Sequence, residues 1–269
     1  MNFLILVLAF IQLTTYSFSQ KTDSKEVPSV ISVNSSKIDS PKKNLYLKEA
    51  ITITNNGIAY IPSFSLHKPA VILDLSVGNG KLSLEPSLRF ALNFEPWAFL
   101  FPVRYKIKST GKFRIIAGAV PGLAFKTVTF IDNGVSTTRS VSGSYLGGDL
   151  RPDFFIKENI SVGAYYYYLH GISHGTLKNI NLVSVNINFL NIKLGSGLFA
   201  KFTPQYYYLN QDGLSGFYFN DVIAMFKQNF PFSLQALMTS TIHTNIPGSD
   251  NFIWNVSLIY SFNKTYIAK

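Results

Sequence analysis

Across residues 81–94 the side chains alternate with a period of two. The even positions are Leu82, Leu84, Pro86, Leu88, Phe90, Leu92 and Phe94; the odd ones are Lys81, Ser83, Glu85, Ser87, Arg89, Ala91 and Asn93. Successive side chains on a strand point to opposite faces, so one face here is fit for hydrocarbon and the other for water. The same alternation recurs from about Gly57 to the end of the chain. A soluble sandwich would use shorter strands and bury moderate-sized aliphatics. Long strands with an aromatic-rich apolar face and a charged reverse face fit a transmembrane antiparallel β-barrel of the outer-membrane kind. The expected fold class is all-β.

Twelve strand-like segments can be laid out after Gly57, with ten or fourteen as the alternatives. They cover 57–67, 70–78, 81–94, 97–108, 112–129, 144–156, 160–170, 180–190, 193–209, 216–227, 232–243 and 252–262. Alternate connections are short: Gly78-Asn79-Gly80, Ser109-Thr110-Gly111, Lys157-Glu158-Asn159, Leu190-Asn191-Ile192 and residues 228–231. The opposite set holds the longer ones, at 130–143, 171–178, 210–215 and 244–251. Short inner turns facing longer outer loops is the asymmetry of such barrels, and an even count returns the C-terminus to the inner side.

The beginning of the chain is different material. Residues 1–19 carry no charged side chain, and the apolar run from Phe3 to Ile11 is too short to span a bilayer. Ser17 and Ser19 supply small residues for a signal-peptidase site, so a signal peptide over 1–19 is expected, cut before Gln20. Residues 20–50 are rich in Lys, Ser, Asp, Asn and Pro without a sustained period, and are expected to form a flexible periplasmic leader. The barrel is expected over 51–269. A short strand at 51–53 that enters or plugs the barrel is the alternative for that stretch.

Composition agrees with a membrane wall made of strands. Aromatic residues reach 15% and charged ones only 14%, with mean hydropathy +0.18, yet no run of about 18 apolar residues offers a helix span. The net charge of +10 is spread over strands and leader rather than gathered in one motif. Nucleic acid is therefore not the expected partner; lipopolysaccharide and anionic solutes are. The 269 residues include no cysteine, so neither a disulfide nor a lipidated cysteine is expected.

With the junction Ser17-Phe18-Ser19-Gln20, the strand-turn-strand at 57–94 and the aromatic closing strand at 252–262, the chain resembles the outer-membrane β-barrels of Bacteroidota-type bacteria. The resemblance covers roughly residues 57–263 and rests on pattern. It implies a porin-like barrel in the bacterial outer membrane, inserted by the barrel-assembly machinery. Such barrels end on an aromatic residue, whereas residues 263–269 follow Phe262 here, so the insertion signal is expected to be internal.

Alternation also assigns faces. Trp97, Phe99, Phe101, Val103, Tyr105 and Ile107 are expected to face lipid, with Arg104, Lys106 and Lys108 inward. The expected pore-lining set is Lys81, Glu85, Arg89, Arg104, Lys106, Arg114, Lys126, Asp149, Arg151, Asp153, Lys193 and Lys201, and Asp74 and Asp221 share that parity assignment. Basic residues outnumber acidic ones, as in a pore wall that lowers the barrier for small anions. The expected function is a porin-like channel for small polar or anionic solutes. The alternative is a non-conducting structural or assembly barrel whose lumen charges pair with one another. A lesser alternative is a rim-located lipid acyl hydrolase built on His170, Ser173 and His174; their spacing departs from the His-x-Ser pattern of outer-membrane phospholipases, so no catalytic residue is expected. His67, His170, His174 and His243 all fall at outer strand ends; the four-residue spacing of His170 and His174 is ligand geometry on a helix, but no helix is expected there. Phosphate loops and nucleotide motifs are absent from the sequence, so no metal or cofactor is expected.

Overall fold

The computed structural model describes residues 44–132 and 135–267. Fourteen strand runs follow one another: β1 (Asn44–Thr54), β2 (Ala70–Gly78), β3 (Leu82–Leu84), β4 (Ser87–Ala91), β5 (Pro96–Leu100), β6 (Val103–Ser109), β7 (Phe113–Asp132), β8 (Val135–Lys157), β9 (Ile160–Gly171), β10 (Asn179–Gly195), β11 (Leu198–Gln211), β12 (Leu214–Lys227), β13 (Phe232–Thr244) and β14 (Phe252–Ile267). Among the described residues one 3-10 turn, Pro62–Phe64, stands between them. All runs belong to one antiparallel sheet. β1 pairs with both β2 and β14, so the sheet closes without a free edge. β3 and β4 continue one another along β2, as β5 and β6 do along β7, which gives the wall twelve staves.

The two interrupted staves have a common cause. Pro86 and Pro102 lack the N–H that a ladder needs, and they fall at the same level: Glu85 N–H donates to Pro102 O at 2.8 Å.

The outer face carries the apolar half of the alternation. On β14 these residues are Phe252, Trp254, Val256, Leu258, Tyr260 and Phe262, all exposed, while Asn255, Ser257 and Ile259 turn inward and are buried. Leu82 and Leu84, or Val183, Val185 and Ile187, repeat the pattern elsewhere. A closed wall with an apolar outer band satisfies every backbone group internally and stands across a membrane as a bacterial outer-membrane barrel.

Twelve staves are as expected, but the first is not the expected one. Residues 57–67 are not a strand; they lie in the connection between β1 and β2. Its place is taken by β1, which begins at Asn44, inside the stretch assigned to the leader, and pairs with β14 from Asn44↔Ile267 to Thr54↔Ser257. The same pairing carries β14 past Phe262 to Ile267, so that aromatic residue is internal to the last strand. The signal and leader expected over residues 1–43 lie outside the described residues. The turn expected at 190–192 is a bulge within β10, with Asn191 at φ 52°, and the chain reverses after Gly195. Two expected outer loops are strand instead: β7 and β8 stay paired to Asp132↔Val135, and β11 and β12 are joined by Asp212-Gly213, both at positive φ as a two-residue hairpin requires.

Candidate functional site: the barrel lumen

The outer end of the lumen is occupied by the chain itself. Residues 55–69, joining β1 to β2, fold inward and are closed on themselves by Gly57 N–H to Lys68 O (2.8 Å) and Leu66 N–H to Gly57 O (2.7 Å). Ile61 from this segment is buried with Tyr145, Leu169, Ile180, Leu182, Tyr207, Leu209 and Tyr218 from the wall and Ile246 from the connection after β13. Phe64 meets Tyr145 edge-on at 5.3 Å, and Tyr207 stacks on Tyr218 at 4.8 Å. Polar pins hold the segment: Trp97 Nε1–H donates to Phe64 O at 2.7 Å, Gln211 Nε2 to Ser63 Oγ at 3.2 Å, and Asn255 Nδ2 to Asn56 O at 2.9 Å. At the mouth His67 and Asp250 stand 3.6 Å apart, both exposed.

Tyr60 hangs below this cap. Its ring touches Tyr207 edge-on at 6.0 Å, yet 44% of the residue remains accessible, and it lies within electrostatic range of Tyr165, Arg151 and Arg89. The cap therefore roofs a space with basic walls.

Those walls are paired at mid-depth. Asp149 is fully buried, and its Oδ2 accepts from Arg104 Nε (3.1 Å), Arg104 Nη2 (3.0 Å) and Arg151 Nη2 (2.9 Å). Arg104 Nη1 also pairs with Glu85. Arg104 and Asp149 are two staves apart, and Gly118 stands between them in register. A Cβ on Gly118 would come within 2.6 Å of Asp149 Oδ1 and 2.8 Å of Arg104 Cγ, so the bare backbone is what lets the two side chains meet. Neighbouring cations rest on rings: Arg151 over Tyr165 at 4.8 Å and Arg89 over Trp97 at 5.5 Å.

Toward the inner end the balance changes. Arg114 binds Asp153 at 2.7 Å, but Lys48, Lys106 and Lys201, also on inward positions, form no ion pair with any described carboxylate. The intervening wall is neutral and polar, with Asn188, Ser161 and Thr203 hydrogen-bonded in a row.

No family model matches this chain, and no curated protein matches it. Among solved structures it is similar to a KdgM porin in complex with disordered oligogalacturonate, at 11% identity over 81% of this chain and 99% of that one, TM-score 0.49. An outer membrane channel from Pseudomonas putida F1 gives 11% identity over 90% and 100%, TM-score 0.49. A NanC porin gives 11% over 83% and 100%, TM-score 0.47. Similarity of that order says nothing about a solute, so the residues of this chain decide the rest.

Of the residues expected to line the lumen, Glu85, Arg89, Arg104, Lys106, Arg114, Asp149, Arg151, Asp153, Lys193 and Lys201 occupy inward positions on the wall. Lys81 is exposed at an inner turn. Lys126 keeps the inward parity but lies on the part of the β7–β8 hairpin beyond the last pairing with β5, at Ala124, and is exposed there rather than in the lumen. Trp97 does not face lipid. A bulge opposite Arg89 and Phe90 turns it inward, where it is 4% exposed and pins the cap. Lys108 is turned outward by a second bulge, pairing with Ile115. Lys48 and the cap residues were missed because they lie in stretches assigned to the leader and to a strand.

The rim histidines meet different partners. His170 Nδ1 faces Asn179 Oδ1 at 3.3 Å on the outer side, while Ser173 Oγ accepts the N–H of Ser144 at 3.0 Å. The two therefore do not assemble into a nucleophile and base.

Asp221 is a correction with a consequence. It pairs with Pro204 and Met238 on the lipid side, while its neighbours Asn220 and Ala224 are the ones that point in and are buried. A carboxylate halfway along an outer stave is disfavoured there. Asp221→Leu should raise stability by about 1–2 kcal/mol, read as a higher guanidinium midpoint for detergent-folded protein. A lower midpoint would show that the carboxylate has a partner.

Proposed function

We propose that the protein is a porin-like outer-membrane channel for small polar solutes, with a preference for anions, and that the segment 55–69 closes its outer end in the state seen. The observation that carries this reading is the sign of the inward-facing charge. Lys48, Arg89, Arg104, Lys106, Arg114, Arg151, Lys193 and Lys201 face Asp74, Glu85, Asp149 and Asp153. A wall with that excess lowers the barrier for anions and raises it for cations. Two features favour the second reading, a non-conducting structural barrel: the paired charges around Asp149 and the apolar packing of the cap. The Bacteroidota-type kinship, insertion by the barrel-assembly machinery and contact with lipopolysaccharide belong to the same proposal.

The test is the reversal potential of the refolded protein in a planar bilayer under a potassium chloride gradient. Chloride preference is expected whenever current flows. Cation preference would overturn the assignment of the inner wall.

A further inference from the structure

We infer that the inner part of the lumen is a saturable binding site for a compact polyanion, held by Lys48, Lys106, Arg114 and Lys201. This deepens the channel reading and rests on it for how the solute arrives; it replaces general diffusion of small anions by capture of one that carries several negative charges.

The four cations come from β1, β6, β7 and β11 and converge across the lumen rather than along one stave. Lys106 is within electrostatic range of both Arg114 and Lys48, and Lys201 within range of Arg114 and Asp153. Only one carboxylate, Asp153, is within that set, and it is engaged by Arg114 through Nε at 3.1 Å and Nη2 at 2.7 Å. The guanidinium is further fixed over Phe155 at 5.1 Å. Three ammonium groups are left on inward positions around a fixed guanidinium, with Lys106 in range of both Lys48 and Arg114, and Lys201 in range of Arg114 from across the lumen. Like charges gathered in a partly enclosed space repel, and a bound anion relieves all of those repulsions at once.

The contrast with mid-depth supports the choice of place. There, Glu85 and Asp149 supply the counter-charges from the wall itself, and the arginines are consumed in holding the barrel. At the inner end the wall supplies Asp153 alone within range of these cations, and Arg114 already holds it. Lysine suits a ligand that comes and goes, since its ammonium is a mobile point charge on a flexible stem. A single monovalent carboxylate would leave most of the excess uncompensated. Two or more charges on a small body, as in a phosphate ester, a diphosphate or a compact polycarboxylate, match it. Exclusion of lipid follows from position, because the site is inside the wall.

The experiment uses the full chain refolded in detergent, with inorganic pyrophosphate as probe, titrated calorimetrically in magnesium-free buffer. Saturable binding that weakens steeply with ionic strength is expected. The double variant Lys106→Met/Lys201→Met should bind about a hundredfold more weakly, near tenfold for each charge-assisted contact removed. Lys108→Met, outward at the same end, should bind as the wild type does. Retained migration difference between unheated and boiled samples establishes that the variants are folded. No binding by the folded wild type, or equal binding by the double variant, overturns the site. Bilayer recordings separate the two proposals. Pyrophosphate binding in a barrel that never conducts would sink the channel and leave the site standing. Chloride current without pyrophosphate binding would do the reverse.

Discussion

Replacing Asp149 with leucine should cost about 3–5 kcal/mol of stability, the largest loss expected from any single lumen substitution. Its carboxylate is fully buried and serves two guanidiniums through one oxygen, Arg104 at 3.0 Å and Arg151 at 2.9 Å. Leucine fills a similar volume but leaves Arg151 without its ion pair and Arg104 with Glu85 alone. The penalty comes mainly from leaving the largely buried Arg104 and the partly exposed Arg151 short of a counter-charge, because bringing the groups out of water already offset much of the Coulomb gain. The double variant Asp149→Leu/Arg151→Met should therefore recover part of the loss. Guanidinium unfolding in detergent reads both. A loss below about 1 kcal/mol for the single variant would mean that water reaches the mid-depth charges and screens them.

Excising residues 58–66 and joining the ends with two glycines should turn a closed barrel into a steadily conducting one. The ends are already a turn apart, since Gly57 N–H reaches Lys68 O at 2.8 Å. The wall contacts of β1 and β2 lie outside the excised stretch and would persist. Burial of Ile61 and Phe64 is lost, at about 1.5–3 kcal/mol for a large side chain, and the inward face of Leu169, Ile180, Leu182 and Leu209 becomes wet. The barrel should still fold, because its closure does not depend on the segment.

Much of this architecture was legible because lipid imposes one rule on every stave: apolar side chains at alternate positions. The closing strand and the even count follow from that rule alone. The first strand was obscured by its own charges. Residues 44–54 alternate Leu45, Leu47, Glu49, Ile51 and Ile53 outward, and Glu49 in that series beside Lys48 reads as leader. The cap was mistaken for a strand because Ile58, Tyr60 and Phe64 are apolar; Pro62 was the available signal, and it stands in the 3-10 turn. Asp221 was given inward parity with the other charges, whereas burial of Tyr218 and Asn220 sets the parity of that strand the other way and turns Asp221 outward. Trp97 and Lys108 depend on bulges, which shift a face by one residue and leave no periodic trace. The Arg104–Asp149 pair needs the register of three staves and the missing side chain of Gly118, and neither is a property of local sequence.

The most direct measurement is single-channel current from the intact chain against the chain lacking 58–66, with a third arm in which the cap is tethered. The absence of native cysteine allows Ser63→Cys/Gln211→Cys to be bridged by a short reducible thiol cross-linker, since the two side chains already meet at 3.2 Å. No current is expected from the tethered form, with return of the intact chain's behaviour on reduction and steady anion-preferring current from the excised form. A folded, heat-modifiable excised barrel that carries no current would contradict the channel reading.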